Sequence, residues 1–366
     1  MDLTDLEQRK NDIFVAIVEA HIAAGAPVGS ELISRKLRQS LSPATIRNVM
    51  SALEEDGLLE QPHTSAGRVP TDRGYRYYVD SLMQVVRLSP EEIKQLADTI
   101  RPSEPEAEPI LERVSEALAQ ISHHASFVVA PTVKRSTIKQ IELLPLGVHK
   151  LLCVLVGQEP FLASHMVDMD EPISRDEAVS VAHFLNTELA GLPTSELVLS
   201  LERRLLAGND SFYHLVKRSL AILQHVLDTE PDERLLVGGA AHLFEYPEFH
   251  NNPRQVHELL RQLELQHGLL ERLRADLAIA LQTAPPSTME GTRVRIGHEV
   301  GLEGLETCSY IMAPFTLNQV VVGGVGILGP KRMDYRRMCA WVESAADLVT
   351  RLYGRWEQGG EGAGHE

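Results

Sequence analysis

Cysteine is scarce in this chain. The three present, Cys153, Cys308 and Cys339, are odd in number, far apart and in no CxxC spacing, which argues against a disulfide framework or a thiolate zinc site and fits a reducing cytoplasm. Aromatic residues make up only 5% of the sequence. No apolar run approaches the ~20 residues that a membrane span needs. The N-terminus, MDLTDLEQRKND, is acidic rather than basic and then apolar, so neither a membrane anchor nor a leader is expected. Positive charge is also in the minority: 35 Lys and Arg face 51 Asp and Glu, a net charge of -16. A uniformly basic coat for nucleic acid is thereby excluded, and any DNA contact must come from a local patch. What is present, 43% hydrophobic and 23% charged residues over 366 positions, describes a folded chain of two or three domains.

The first eighty residues read as three helices and a hairpin. Leu6, Ile13, Ile17, Ala20 and Ala24 recur at helical spacing until Gly25-Ala26-Pro27 stops the run. A short helix follows Ser30. The third helix is the best marked: Ser42 stands at the N-cap position and Pro43 at the first helical position, where its missing N–H costs nothing. Ile46, Val49, Met50 and Leu53 then keep the helical period to Gly57. Leu58–Gln61 and Arg68–Val69 read as strands around a polar loop, and a helix through Tyr75, Tyr77, Tyr78 and Leu82 follows Thr71-Asp72. Arg101 to Pro109, RPSEPEAEP, has the composition of a linker. Beyond it, a helix over 110–123 leads into closely spaced apolar runs, Ile138–Leu144, Lys150–Val156 and Phe161–Val167, that predict an antiparallel meander. Helices over 177–189, 212–227 and 253–281 come next. Strands return near Val294–Ile296, Ser309–Pro314 and Val320–Leu328, and an amphipathic helix over 335–356 closes the chain before the tail EQGGEGAGHE. Strands at both ends of a helical middle imply an α+β domain with a segment inserted into it.

Two helices joined by a short turn, the second capped and followed by a hairpin, describe a winged helix-turn-helix. At about 100° per residue, with Ile46 at zero, Val49, Met50 and Leu53 fall within about 60°, whereas Ala44, Asn48 and Ser51 lie near 160°, 200° and 140°. Thr45 and Arg47 flank that outer face. Asn can pair with adenine, Arg with guanine or phosphate, and Ala or Thr methyls can meet thymine. Charge is sorted to match. From Leu32 to Leu53 there are four basic residues, Arg35, Lys36, Arg38 and Arg47, and no acidic one, although residues 1–80 as a whole carry nine basic and twelve acidic groups. The loop residues His63, Thr64, Ser65 and Arg68, followed by Arg73 and Arg76, extend this footprint. Winged helices also serve as protein-interaction modules, and periodicity alone leaves that alternative open.

Other motifs carry less. Gly324-Val325-Gly326-Ile327-Leu328-Gly329 fits GxGxxG, but Pro330-Lys331-Arg332 follows in place of a helix N-terminus, and no acidic residue closes a second strand about 20 residues on. Glycines packed in an antiparallel strand pair are the better account, so no dinucleotide and no catalytic residue is expected. Adjacent His123 and His124 on a helix would point about 100° apart, unsuited to one ion, and His242, His250 and His257 have no zinc-site spacing. No metal or cofactor is expected. Val237-Gly238-Gly239-Ala240-Ala241 permits close backbone approach and offers either a dimer contact or ordinary intrachain packing.

The run from Ser42 to Asp80, SPATIRNVMSALEEDGLLEQPHTSAGRVPTDRGYRYYVD, resembles the signature of the heat-inducible transcription repressor family HrcA. VGGAAHLFEYPEF (237–249), ETCSYIMAPF and VVVGGVGILGPKRMDYRRM, ending at Met338, resemble its later blocks in the same order. The resemblance implies an α+β multidomain fold: a winged helix-turn-helix over 1–85, a linker helix and acidic-proline loop over 86–109, a discontinuous GAF-like α/β domain over 110–191 and 250–356, a dimerising domain inserted over 192–249, and a disordered tail over 357–366. It further implies a cytoplasmic homodimer that binds a CIRCE-type inverted-repeat operator of chaperone genes in double-stranded DNA, helped by the GroE-type chaperonin. Thr45, Arg47 and Asn48 become recognition-helix candidates and His63, Thr64, Ser65 and Arg68 wing candidates, with Arg35, Ser42, Ala44, Ser51, Arg73 and Arg76 completing the DNA-binding set. A winged-helix regulator that senses a small molecule through the GAF-like domain is the alternative, and no constellation specifies such a ligand.

Overall fold

The computed structural model describes residues 3–37, 41–63, 66–84, 86–100, 110–130, 138–157, 162–188, 192–207, 213–229, 234–250, 253–280, 291–317 and 320–360. The N-terminal unit comprises α1 (Leu3–Ala24), α2 (Ser30–Lys36), α3 (Pro43–Glu55), the short strands β1 (Leu59–Glu60) and β2 (Val69–Pro70), and α4 (Asp72–Tyr77). Gly25 ends α1 in the left-handed conformation, φ +63°, with its N–H on the His21 carbonyl at 2.8 Å. Ile13, Phe14 and Ile17 of α1, Ile33 of α2, and Ile46, Met50 and Leu53 of α3 close over one core. The helix expected from Thr71 to Leu82 divides: α4 gives way to a π-helical turn over Tyr78–Leu82. That wider turn accompanies burial of both Tyr75 and Tyr78.

The central unit is a five-stranded antiparallel sheet. After α5 (Pro90–Ile100) and α6 (Ile110–Ser122) come β3 (Ala125–Ala130), then, past an insertion, β7 (Arg234–Gly238), α10 (Pro247–His250), α11 (Pro253–Leu265), α12 (His267–Ala280), β8 (Arg293–Ile296), β9 (Cys308–Leu317), β10 (Val320–Pro330) and α13 (Tyr335–Gly360). Strand order is β7-β3-β10-β9-β8. Alternation along the strands sends residues to two helical layers. Val128, Ile311, Ala313, Phe315 and Ile327 pack with α6 and α13. Phe127, Val129, Tyr310, Met312 and Leu328 pack with Leu259 and Leu263 of α11 and Leu269, Leu273 and Leu277 of α12. The glycines of the GxGxxG run lie inside β10, Gly324 and Gly326 paired on both edges and Gly329 with β9 alone. A Cβ on Gly326 would stand 2.3 Å from the Phe127 ring and 2.4 Å from the Ile311 carbonyl oxygen, so the motif makes room for an aromatic ring, not for a pyrophosphate.

The insertion has different limits from those expected. The described residues between 138 and 229, rather than 192–249, leave the central sheet between β3 and β7 and include their own three-stranded meander, β4 (Ile138–Gly147), β5 (Lys150–Gly157) and β6 (Leu162–Asp168). Helices α7 (Arg175–Glu188), α8 (Thr194–Ala207) and α9 (Tyr213–Thr229) complete a separate core of Ile141, Leu143, Leu151, Cys153, Leu155, Val181, Leu185, Leu201, Val216 and Leu223. Asn186 ties α7 to β4 by accepting from Ile141 N at 2.7 Å and donating to its carbonyl at 2.9 Å. Conversely, 234–249 belongs to the central unit. Gly238 and Gly239 press against α6, where a Cβ would fall 2.7 Å from Ser115 Oγ and 2.4 Å from Ala119 Cβ respectively. Gly238 and Gly239 thus serve intrachain packing against α6.

Two smaller boundaries also shift. The segment 86–109 is no free linker helix, because α5 buries Leu96 and Ile100 in the core shared with α6 and α13; residues 101–109 lie outside the described residues. Helix α13 continues to Gly360, four residues into the supposed tail, and 361–366 also lie outside the description. Among the described residues no helix is long and apolar enough to cross a membrane.

Candidate nucleic-acid interface

Helix α3 begins as its sequence dictates. Ser42 Oγ accepts from Thr45 N at 3.1 Å, pairs with Thr45 Oγ1 at 2.9 Å, and is followed by Pro43. The cap satisfies one of the N–H groups that a helix start leaves unpaired. With Ile46, Met50 and Leu53 buried, Ala44, Thr45, Arg47, Asn48 and Ser51 all stand exposed on the opposite face. Arg35 on α2 is exposed too, with only a 3.7 Å ion pair to Glu31. Arg47 and Arg73 have no carboxylate partner among the described residues. Gly57 ends the helix at φ +71°.

Of the three acids at the end of α3, Glu54 and Asp56 are paired inside the domain and Glu55 is exposed. Glu54 accepts from Arg68 Nε at 2.8 Å, and Asp56 accepts from Lys10 Nζ at 2.5 Å. Arg68 therefore joins the wing to the end of α3 rather than projecting freely. Its backbone also pairs with Val28, N to O at 2.9 Å and O to N at 2.8 Å, which lays the wing against the α1–α2 turn. Gly67 permits that approach, since a Cβ there would meet the Val28 carbonyl oxygen at 2.4 Å. His63 is exposed and its carbonyl accepts from Ala66 N at 2.8 Å. Thr64 and Ser65 lie outside the described residues.

Arg76 is the clearest departure from expectation. Its guanidinium donates to both carboxylate oxygens of Glu299 (Nε at 3.0 Å), to Asp80 at 3.0 Å and to the Val294 carbonyl at 2.5 Å. It docks the winged helix onto the central sheet and is not a free cation. One turn earlier, Asp72 accepts from His298 N at 3.0 Å and from Lys331 Nζ at 2.6 Å. A second contact sits behind α1. Arg332 pairs with Glu248, donates to the Ile22 carbonyl at 3.2 Å and lies 5.5 Å from the Tyr246 ring centroid. Tyr75 meets Tyr335 at a tilt, with ring centroids 5.8 Å apart, and shares a 2.7 Å hydrogen bond with His21 Nδ1. Burial, with Arg332 nearby, lowers the His21 pKa to about 4, so that ring is neutral. The winged helix is thus carried on the body in a defined orientation with its α3 face outward.

The family model described as HrcA protein C terminal domain matches residues 108–339. The chain is 32% identical over 346 residues to the heat-inducible transcription repressor HrcA of Pelotomaculum thermopropionicum, covering 94% of this chain and 95% of that one. The chain belongs to the HrcA family. A second HrcA, from Chlorobium phaeobacteroides, is 34% identical over 352 residues, covering 94% and 98% of the two chains. A crystal structure described as a hypothetical protein superposes with a TM-score of 0.59 at 22% identity, covering 95% of this chain and 98% of that one, and shares the fold. As an HrcA-family chain it is a transcription repressor and a regulator rather than an enzyme.

Some of what matters in this HrcA-family chain was out of reach of spacing. The Arg76–Glu299 pair spans 223 positions, and no local pattern foretells it. His123, His242 and Glu245 also come together, their ligand atoms all within 4.8 Å. Neither adjacency nor histidine spacing predicts that grouping, because His123 stands 119 positions before His242 and the fold alone brings them together.

Proposed function

We propose that the chain represses transcription by laying the exposed face of α3 in the major groove of an inverted-repeat operator, as a homodimer. The observation that carries this reading is the sorting on α3: Ala44, Thr45, Arg47, Asn48 and Ser51 are exposed together, while Glu54 and Asp56 are neutralised by Arg68 and Lys10. Short methyl, hydroxyl, amide and guanidinium groups are what base-edge reading requires, and the one acid of α3 without a partner among the described residues, Glu55, lies at the far end of the helix. Arg35 and Arg73 supply phosphate contacts beside it, and His63, with Thr64 and Ser65, belongs to the wing. Two-fold symmetry in the protein calls for two-fold symmetry in the operator.

The dimer contact is assigned to the inserted unit. Leu144, Leu152 and Met166 are in register across β4, β5 and β6. Leu144 and Met166 are 50% and 55% exposed, and Leu146 and Val148 at the hairpin are 57% and 65% exposed. An apolar strip of this kind on a sheet face is what a second copy would cover. The family's GroE-type chaperonin is proposed as the partner that maintains the competent fraction, on which apparent operator affinity depends. Occlusion of a promoter in the cytoplasm follows from such binding.

A fluorescence-anisotropy titration tests the reading. The full chain should bind an inverted-repeat duplex tightly and the same bases scrambled weakly, with a salt-dependent slope on both. Equal affinity for the two duplexes would overturn sequence-specific repression.

A further inference from the structure

His123, His242 and Glu245 present three ligand atoms within 4.8 Å of one another, in a part of the central unit far from the α3 face in sequence and used by no step of repression. Their backbones are already fixed. Helix α6 ends at Ser122, and His123 follows in the left-handed conformation, φ +56°, with its N–H on the Ala119 carbonyl at 2.9 Å. Its own carbonyl accepts from Tyr246 Oη at 3.0 Å. On the other side, Gly239 adopts φ +61° against Ala119 and opens a 3₁₀ turn over Ala240–Glu245. The N–H of His242 meets the Gly239 carbonyl at 2.9 Å. In a 3₁₀ turn the side chains at i and i+3 lie one above the other. That places His242 Nδ1 3.0 Å from a Glu245 carboxylate oxygen. The His123 and His242 rings meet edge to face, with centroids 5.8 Å apart.

We infer that His123, His242 and Glu245 form a binding site for a borderline first-row divalent cation of the zinc type. Two imidazoles and one carboxylate disfavour calcium or magnesium, which take all-oxygen shells, and suit zinc, cobalt or nickel. The His242–Glu245 separation is close to the roughly 3.3 Å edge of a tetrahedron built on ~2.0–2.1 Å bonds. His123 then closes by side-chain rotation alone, which its exposed position allows. Three protein ligands leave a fourth position for water. Two features extend the consequence beyond the site. Tyr246, next in the chain, bonds the His123 carbonyl and His124 Nε2, and it lies beneath Arg332, whose guanidinium reaches α1. A bound ion would pin the end of α6 to the turn that supports the winged-helix dock.

The test uses the full chain, stripped with chelator and desalted, titrated with Zn²⁺ by calorimetry and with Co²⁺ by visible absorption. One equivalent per chain is expected, with Co²⁺ bands of a four- or five-coordinate site. His123→Asn, which keeps a residue tolerant of the left-handed backbone, His242→Ala and Glu245→Gln should each weaken that equivalent at least tenfold. His267→Ala, which removes an exposed histidine paired with Glu271 at 3.4 Å elsewhere on the surface, should leave it unchanged. Thermal melts of the ion-free variants show that they remain folded. Absence of a one-to-one equivalent in the unsubstituted chain overturns the inference, as does unchanged affinity in any of the three ligand variants.

Discussion

Arg68 Nε donates to Glu54 Oε2 at 2.8 Å, with the two side chains 18% and 36% exposed, so the wing and the end of α3 form one piece. A partly shielded, directly hydrogen-bonded pair of this kind contributes about 1 kcal/mol. A double-mutant cycle with Glu54→Ala and Arg68→Ala, read by chemical denaturation, should return a coupling near that value and fall with added salt. No coupling would mean that the wing is positioned by its Val28 backbone pairing alone.

Ser42 is a cap before it is anything else. Ser42→Ala should cost about 0.5–2 kcal/mol, whereas Ser42→Asp should restore stability, since an aspartate caps as well and favours the helix dipole. The two properties separate on DNA. Asp at this position adds negative charge beside the α3 face, so the Ser42→Asp chain should be as stable as the original and bind duplex DNA less well. Full DNA affinity in Ser42→Asp would place the N-terminus of α3 away from the phosphates.

Arg73 and Arg76 are three residues apart, yet the structure gives them opposite work. Arg73 is exposed and Arg76 is held by Glu299 and the Val294 carbonyl. Arg73→Ala should weaken binding on specific and scrambled duplexes alike and reduce the salt slope by about one. Arg76→Ala leaves Glu299 half-shielded without its partner. Hydrogen exchange in 293–300 should then rise, as the dock between winged helix and body loosens. If Arg76→Ala leaves exchange in that segment unchanged, the dock does not depend on this pair.

Acid should destabilise the chain before most carboxylates titrate. His124 is 6% exposed, with Nδ1 2.6 Å from the Ser122 carbonyl. Burial lowers its pKa to about 4, aided by nearby His123, His242 and Arg332. The folded-state value lies below the unfolded one, so the unfolded chain binds the extra proton. Stability is therefore full above about pH 6.5 and falls as pH drops toward 4. His124 alone should cost about 1–2 kcal/mol at pH 5, and His21, lowered to about 4 in the same way, acts in the same direction. Melting curves at pH 7 and pH 5 measure this, and NMR titration of the two rings reports the pKa values directly. Ring pKa values near 6.5 would refute the burial account.

Helix α3 was legible in the sequence because its signals are local. Ser42-Pro43 marks its start, the 46, 49, 50, 53 spacing its buried face and Gly57 its end, and the structure repeats each. The meander over 138–168 was legible for the same reason. Limits of the insertion were not, because β3 pairs only with β7 and β10, far along the chain, while β4 pairs with the adjacent β5, and no local pattern separates the two sheets. Val237–Ala241 was ambiguous on the same ground: small residues signal close approach without naming the neighbour, which proved to be α6. For Arg68 and Arg76, charge was readable, but the carboxylates that claim them were not.

The most direct test of the central claim, that the outer face of α3 reads bases, is a paired titration of the unsubstituted chain and Asn48→Ala on inverted-repeat and scrambled duplexes at several salt concentrations. If the Asn48 amide contacts a base edge, Asn48→Ala should lose about 1–3 kcal/mol on the inverted repeat and almost nothing on the scrambled duplex, with the salt slope unchanged. An equal loss on both duplexes, or no loss on either, would contradict the account.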